Sequence, residues 1–276
     1  MQLLSTLALL GSTLTALANP LPSPGLVGEL NNDHDITPNG TVLVSRDIRG
    51  SIPIGAHAME HRFQPVIDFD KDGCYYTSAV DRSSNLNPGL GTGGCPHHNC
   101  RELNRLENNN VYSRMRCNNG WCAIMYEYYF EKDLWACGSG HRHEWENIIV
   151  FVQNDRPRRV SGARHGTHDR ATNSFRVKDD TRVKMVYHKE GAGTHNFRTA
   201  NAGDDKIENH TGQWFLGRLV GWNHWPSVAM RNKVLDGKNW SKDGGIRPKL
   251  GDRDFADNLR QAAGNSVPGF NPSVDG

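Results

Sequence analysis

Seven consecutive residues, Gly140-His141-Arg142-His143-Glu144-Trp145-Glu146, carry two imidazoles, two carboxylates, a guanidinium and an indole. They lead straight into Ile148-Ile149-Val150-Phe151-Val152, an apolar run of the kind that forms a buried strand. Charge placed beside a core must pair, bind an ion or line a wet cleft, because unpaired buried charge is heavily penalised. Asp133, which closes the turn Glu131-Lys132-Asp133 upstream, can return to the same place across a hairpin. Asp133, Glu144 and Glu146 would offer carboxylate oxygens, the ligand type preferred by calcium, magnesium or manganese over zinc. His141, at the flexible Gly138-Ser139-Gly140 end, would complete the set. Strand alternation puts Arg142, Glu144 and Glu146 on one face and His141, His143 and Trp145 on the other. A shared ion site therefore requires a bulge or a strand that begins after His141. The residues alone leave two readings open, a divalent cation site and a salt-bridged wet surface. An exposed ion pair contributes only about 0–1 kcal/mol, a weak reason for such crowding.

Catalysis finds fewer supports. His-Arg-His-Glu-Trp-Glu is not the zinc-protease pattern H-E-x-x-H, no G-x-S-x-G is present, and no cysteine stands apart as a nucleophile. A metal-dependent hydrolase is thus left without a named nucleophile or base. Arg142 and His143, with His165 and His168 of the loop His165-Gly166-Thr167-His168, are the expected lining of a binding cleft. Gly193-Thr194-His195 could reach the same cleft. Trp222, Trp225 and Trp240 invite a lipid or sugar reading, because indole suits an interface with one wet side, but Trp222 and Trp145 are expected in the core.

The elements that must hold these groups are mostly strands. Val111-Tyr-Ser-Arg-Met-Arg116, Trp121 to Phe130, His143 to Gln153 and Arg182 to His188 are rich in aromatic and β-branched residues, with Gly, Asn, Asp and Pro between them. A further strand leads through Phe63 to the turn at Asp72-Gly73. Helices are expected at Arg101 to Leu106, at Trp225 to Leu235, with Pro226 near its start, and at Arg253 to Ala263, stopped by Gly264. The fold class is mainly β, one domain over residues 51–270 with a few helices laid against sheets. Pro88 to Asn99 is a loop that only cross-linking would order, and Arg156-Pro157-Arg158-Arg159 reads as a solvated turn.

Residues 1–18 combine an apolar stretch with Ala16-Leu17-Ala18, the small-x-small pattern of a signal peptide, so the chain is expected to be secreted. Residues 19–50 read as an extended leader, and residues 271–276 as a disordered tail. The six cysteines, Cys74, Cys95, Cys100, Cys117, Cys122 and Cys137, are an even set in a secreted chain, which makes disulfides the first reading. The rival is a widened zinc ribbon from Cys95-x4-Cys100 and Cys117-x4-Cys122. Sequons at Asn39, Asn209 and Asn239 predict exposed glycosylation sites. Thirty-two basic residues against 30 acidic ones give a net charge of +2, which argues against nucleic acid as a partner.

Gly140 to Glu146 closely resembles the heptapeptide GHRHDWE, the hallmark of the necrosis- and ethylene-inducing peptide 1-like proteins secreted by plant-associated microbes. Ala123-Ile124-Met125-Tyr126, continued to Asp133, is similar to that family's AIMYSWYFPKD segment, at the same distance upstream. Weaker likeness runs from about Asp72 to Trp240 and includes Leu219-Val220-Gly221-Trp222. The resemblance implies a β-sandwich flanked by helices, similar to actinoporins and fungal lectins, with no enzymatic activity. It implies a monomeric cytolysin that binds the sugar headgroup of glycosyl inositol phosphorylceramide, or another membrane glycan, on plant plasma membranes. A divalent cation held by Asp133, His141, Glu144 and Glu146 would take part, and the Ala123 to Tyr126 segment lies in the region that plants sense as a microbial pattern. It also implies that Cys74 pairs with Cys95 or Cys100. Four departures stand out: Glu144 replaces an Asp, Tyr128 a Trp and Glu131 a Pro, and Cys137 falls inside the loop between Asp133 and Gly140.

Overall fold

The computed structural model describes residues 48–164, 166–241 and 244–275. The expected signal peptide, almost all of the leader, Asn39 and His165 lie outside the described residues. Residues 47–276 form one compact unit.

Two sheets face each other. The larger runs in the order β10-β2-β3-β4-β5-β6, from strands β2 (Val111–Asn118), β3 (Trp121–Ala136), β4 (Ser139–Gln153), β5 (Arg156–Arg164), β6 (Thr167–His168) and β10 (Leu219–Gly221). The smaller is built on β8 (Arg182–Lys189), flanked on one side by β1 (Val66–Phe69) and on the other by β7 (Val177–Lys178) and β9 (His195–Thr199). Between the sheets lies an aromatic core that includes Phe69, Tyr76, Tyr128, Phe130, Tyr187 and Phe197. The outer face of the large sheet is covered by α3 (Val228–Leu235) and α4 (Asp252–Ala263), which bury Met230, Val234, Phe255, Leu259 and Ala262 against Met125, Tyr129, Trp145 and Ile149. Short helices α1 (Ala58–Arg62) and α2 (Leu103–Glu107) complete the chain. The architecture is the expected β-sandwich with flanking helices.

Both faces of the central β3–β4 hairpin are therefore buried, which is why these strands read as apolar runs and not as an alternation of apolar and polar. Ala123, Ile124, Met125 and Tyr126 are all fully buried, the odd pair toward the helices and the even pair toward the second sheet. The expected helix at Trp225 starts at Val228, because Ser227 takes extended dihedrals and its hydroxyl accepts the Met230 N–H as an N-cap. The helix after Gly251 ends at Ala263 with Gly264 at φ +45°.

Two expectations are corrected. Arg156 to Arg159 is the first half of β5 and not a turn, because the reversal falls one step earlier, at Asn154 and Asp155 with φ of +52° and +58°. Residues 271–275 are not loose: Asn118 Nδ2 donates to the carbonyls of Asn271 and Val274 at 2.8 and 2.6 Å, and Arg116 pairs with Asp275 at 2.7 Å. The backbone that would have been a solvated tail is satisfied by the exposed end of β2.

The cysteines pair as Cys74–Cys100, Cys95–Cys137 and Cys117–Cys122, and none is free, so the zinc-ribbon rival is excluded. Cys74–Cys100 is one of the two pairings that the resemblance implied. Asn209 is corrected as a glycosylation site: it is buried, and its amide nitrogen donates to Asp68 Oδ1 at 2.8 Å and to the Gln213 carbonyl at 2.9 Å. The nitrogen that would carry a glycan is spent inside the fold. Asn239 is half-buried, with its amide donating to the Lys233 carbonyl at 2.8 Å.

Candidate functional site

The site forms where the β3–β4 hairpin passes the edge of the smaller sheet. Antiparallel pairing sets Asp133 opposite His141 and Phe130 opposite Glu144. Alternation alone would send His141 and Glu144 to opposite faces. Between them, His143 sits at φ +62°, a left-handed conformation rare for a side chain of this size, and the regular register has no Glu131–His143 pair. That local kink turns the strand, and His141 Nε2 comes within 3.2 Å of Glu144 Oε2. The irregularity that a shared site requires is thus built into the heptapeptide itself.

His195, at the start of β9, closes the cluster from the other sheet. Its Nδ1 lies 2.6 Å from Asp133 Oδ1, its backbone N–H donates to Asp133 Oδ2 at 2.8 Å, and its Nε2 lies 3.5 Å from Asp72 Oδ1. The Tyr187 ring stacks on this imidazole with centroids 5.2 Å apart. Asp133, Glu144, Glu146 and His195 are all at most 2 % exposed. Burial pushes His195 down, but the hydrogen bonds and charges of Asp133 and Asp72 outweigh it and hold the imidazole up at about 9. His141 follows the same balance, with Glu144 and Asp133 raising it to about 9 against burial. Burial pushes the Glu144 carboxyl up, opposed by His141 and by the Trp145 backbone N–H, which donates to its Oε1 at 2.9 Å. Asp72 is held low chiefly by its bond to His195. The cluster is therefore a set of buried acids whose counter-charges are imidazoles.

Its oxygen-rich donors suit a hard divalent cation in chemical type. In position they are turned elsewhere: among the described residues no three His, Cys, Asp or Glu side chains stand as a ready ion site. Both Asp133 oxygens face His195, and Glu144 faces His141.

Two segments frame the hairpin. Residues 88–95 run along β3, with the Leu90 N–H donating to the Glu131 carbonyl at 2.9 Å, Lys132 Nζ to the Cys95 carbonyl at 3.3 Å and Arg142 Nη1 to the Pro88 carbonyl at 3.1 Å. The Cys95–Cys137 disulfide ties that segment to the hairpin tip, where the Gly138 N–H donates to the Gly94 carbonyl at 2.8 Å. On the other side the Ile246 N–H donates to the His143 carbonyl at 3.1 Å. Gly245 is needed there, since a Cβ would lie 2.2 Å from the Trp240 carbonyl oxygen and 2.5 Å from that of Arg142. Glu131 forms a buried pair with Arg105 at 2.7 Å, an ion pair that Pro could not make.

Of the expected cleft residues, Arg142 is half-exposed at the rim, while His143 and His168 are corrected to interior positions. His143 faces the helical layer, with Nδ1 2.7 Å from the Tyr129 hydroxyl and its ring edge-on to Trp240. His168 sits between Asn147 Oδ1 at 2.7 Å and Ser161 Oγ at 2.9 Å, and burial pushes it down to about 3. Trp145 is core as expected, but Trp222 is only half-buried, held between Arg114 and Arg231, whose guanidinium carbons lie 3.9 and 4.0 Å from its ring centroids. Sequence reasoning placed His195 only among possible lining loops, and did not place Asp72 or Tyr187 at the site. The Gly193-Thr194-His195 step into β9 is the one local signal.

This sandwich, with an acid–histidine cluster at the mouth of its central hairpin, defines a toxin-fold β-sandwich. The chain belongs to the NPP1 family of necrosis inducing proteins, whose family model matches residues 57–262. It is 29% identical over 191 residues to NLP effector protein Pc107869 of Phytophthora capsici, covering 65% of this chain and 52% of that protein. The chain thus spans about half the length of that curated relative. In structure it is similar to Necrosis and Ethylene inducing Protein 2 from the causal agent of cocoa's Witches Broom disease, with a TM-score of 0.65 and 25% identity over 78% of this chain and 94% of that one. It is similar also to NLPPya solved in complex with mannosamine, with a TM-score of 0.62 and 25% identity over 78% and 95% of the two chains.

Proposed function

We propose that this chain is a secreted, non-enzymatic cytolysin-like effector that binds the sugar headgroup of glycosyl inositol phosphorylceramide on plant plasma membranes with the help of a divalent cation. The observation that carries the reading is the buried cluster of Asp133, Glu144 and Glu146 at the mouth of the β3–β4 hairpin. Three acids in that setting are retained against their desolvation cost, in a family whose solved members include a hexosamine complex. The ion would be held by Asp133, Glu144 and Glu146 with His141 beside them, and when bound it would supply positive charge that organises sugar hydroxyls. His195 holds Asp133 in place from the second sheet, and the Cys95–Cys137 bridge fixes the tip above it.

Dye release from vesicles containing the sphingolipid, with and without chelator, tests the reading. Release that needs both lipid and ion supports it. Absence of calcium, magnesium or manganese binding by calorimetry, or binding unchanged in Asp133→Ala, overturns the cation role. One observation favours a second reading, a non-lytic lectin or elicitor on the same fold: Glu144 is a methylene longer than the resembling motif's Asp and is already paired with His141 at 3.2 Å. Binding to the vesicles without dye release would select it. Turnover in a panel of glycan and peptide substrates would overturn both.

A further inference from the structure

The chain holds seven Trp, seven Tyr and nine Phe. All of these lie among the described residues, and Trp135 alone is exposed, at 45 %. Its place in the fold is specific. The β3–β4 register pairs Leu134 with Gly140 and Ala136 with Ser139, so Trp135 is the extra residue of a β-bulge at the hairpin tip. Bulges re-aim a side chain out of the regular strand face. Residues 123–134 of the strand are buried, and at the bulge the indole turns out toward water.

The tip is also held firm. Cys137, two residues on, is bridged to Cys95, and the Gly138 N–H donates to the Gly94 carbonyl at 2.8 Å. A large aromatic ring left about half in water on a cross-linked frame keeps a face free for a ligand. Asp133 is two residues before Trp135, about 7 Å along the strand at the usual rise. That spacing is the span of one hexose ring lying between the indole and His141, the register partner of Asp133. The segments tied to the tip, around Gly94, Cys95 and Gly138, are small or polar and not the apolar stretch a lipid contact uses.

We propose that Trp135 is a stacking platform for the C–H face of a hexose whose hydroxyls turn toward His141, the part-exposed edge of the cluster. The proposal rests on the sugar-headgroup reading above and assigns it a specificity-determining residue. Indole offers its face to the ring's C–H groups, and the part-exposed His141 offers a polar partner to its hydroxyls, so the two recognise opposite features of one sugar.

The test uses the full chain with three substitutions, W135A, W135F and D133N, titrated with glucosamine and mannosamine by calorimetry or NMR. Each is also tested for sedimentation with phosphatidylcholine vesicles with and without the glycosylated sphingolipid. W135A should weaken hexosamine binding about three- to tenfold, the size expected for one aromatic contact. W135F should recover most of it, and circular dichroism and thermal unfolding check that both variants stay folded. If wild type binds hexosamine and D133N loses it while W135A binds normally, the platform is refuted and the sugar reading stands. If W135A lowers binding to bare phosphatidylcholine vesicles as much as to glycolipid vesicles, Trp135 is a lipid contact and the proposal is refuted. If wild type binds neither hexosamine nor the glycolipid, the sugar reading falls and takes this inference with it.

Discussion

Replacing His195 with asparagine deletes a positive charge while leaving a donor near Asp133, and its outcome separates a structural ion pair from a cation site. In the structure His195 Nδ1 is 2.6 Å from Asp133 Oδ1, its backbone N–H reaches Asp133 Oδ2 at 2.8 Å, and neither side chain is more than 2 % exposed. Held up at about 9, the imidazole is protonated at neutral pH and balances the carboxylate. Cutting a buried pair on one side costs about 3–5 kcal/mol. The amide keeps one hydrogen bond and the backbone bond survives, so the expected loss for the cation-free protein is about 2–3 kcal/mol. A divalent cation would serve Asp133 as the lost imidazolium did, with no histidine competing for the same oxygens. His195→Asn should therefore bind the ion more tightly than wild type. At a hundred times its Kd a ligand adds about 2.7 kcal/mol, enough to return most of the loss. Denaturant unfolding with and without calcium, magnesium or manganese measures both effects. The expected result is a variant that is weaker than wild type without ion and gains more from it. A variant that gains no more than wild type would refute the reasoning that His195 and the ion share one role.

Three further outcomes follow from the same structure. His168, buried and pushed down to about 3, takes up a proton only in the unfolded chain between that value and about 6.5, so stability is lost as pH falls through this window. Wild type should lose about 2 kcal/mol more than His168→Asn between pH 7 and 5, and equal slopes in urea unfolding would contradict this. Removing the Cys95–Cys137 bridge by double serine substitution frees a separation of 42 residues and should cost about 4 kcal/mol by chain entropy, with faster amide exchange at Gly138. Peptide mass spectrometry of the secreted protein should find Asn209 without glycan despite its sequon, and a glycan there would contradict the bond to Asp68.

The heptapeptide, Asp133 and the strands around them were legible because they depend on local pattern: apolar runs of strand length, and a hairpin short enough to set Asp133 opposite His141. The resolution of the awkward histidine was not, because nothing in the residue type His143 announces φ +62°. His195 was half-legible. It stands 62 residues from Asp133 in sequence and arrives only when the two sheets pack. His143 and His168 looked like cleft residues for want of any view of Tyr129, Asn147 and Ser161, which satisfy them inside. Arg156 to Arg159 misled for a related reason. Three arginines around a proline at the partly exposed start of a strand read like a solvated turn when the true reversal, Asn154-Asp155, carries no glycine.

The cluster also answers how so much charge stands beside a buried strand. Each acid whose partner is resolved faces an imidazole, and each of those imidazoles is held protonated by the acids, so the desolvation of one is met by the charge of the other. Such pairs return little net stability: well-packed apolar residues of similar volume often serve a fold as well or better. Stability therefore does not account for their presence at the one place where the central hairpin kinks at His143, bulges at Trp135 and is cross-linked at Cys137. Two departures from regular strand geometry and one disulfide, within nine residues, act on the same end of the hairpin, one gathering His141 to Glu144, one exposing an indole and one fixing the tip. A structural role needs none of them, which is why the end of the hairpin is where the proposed site is to be tested.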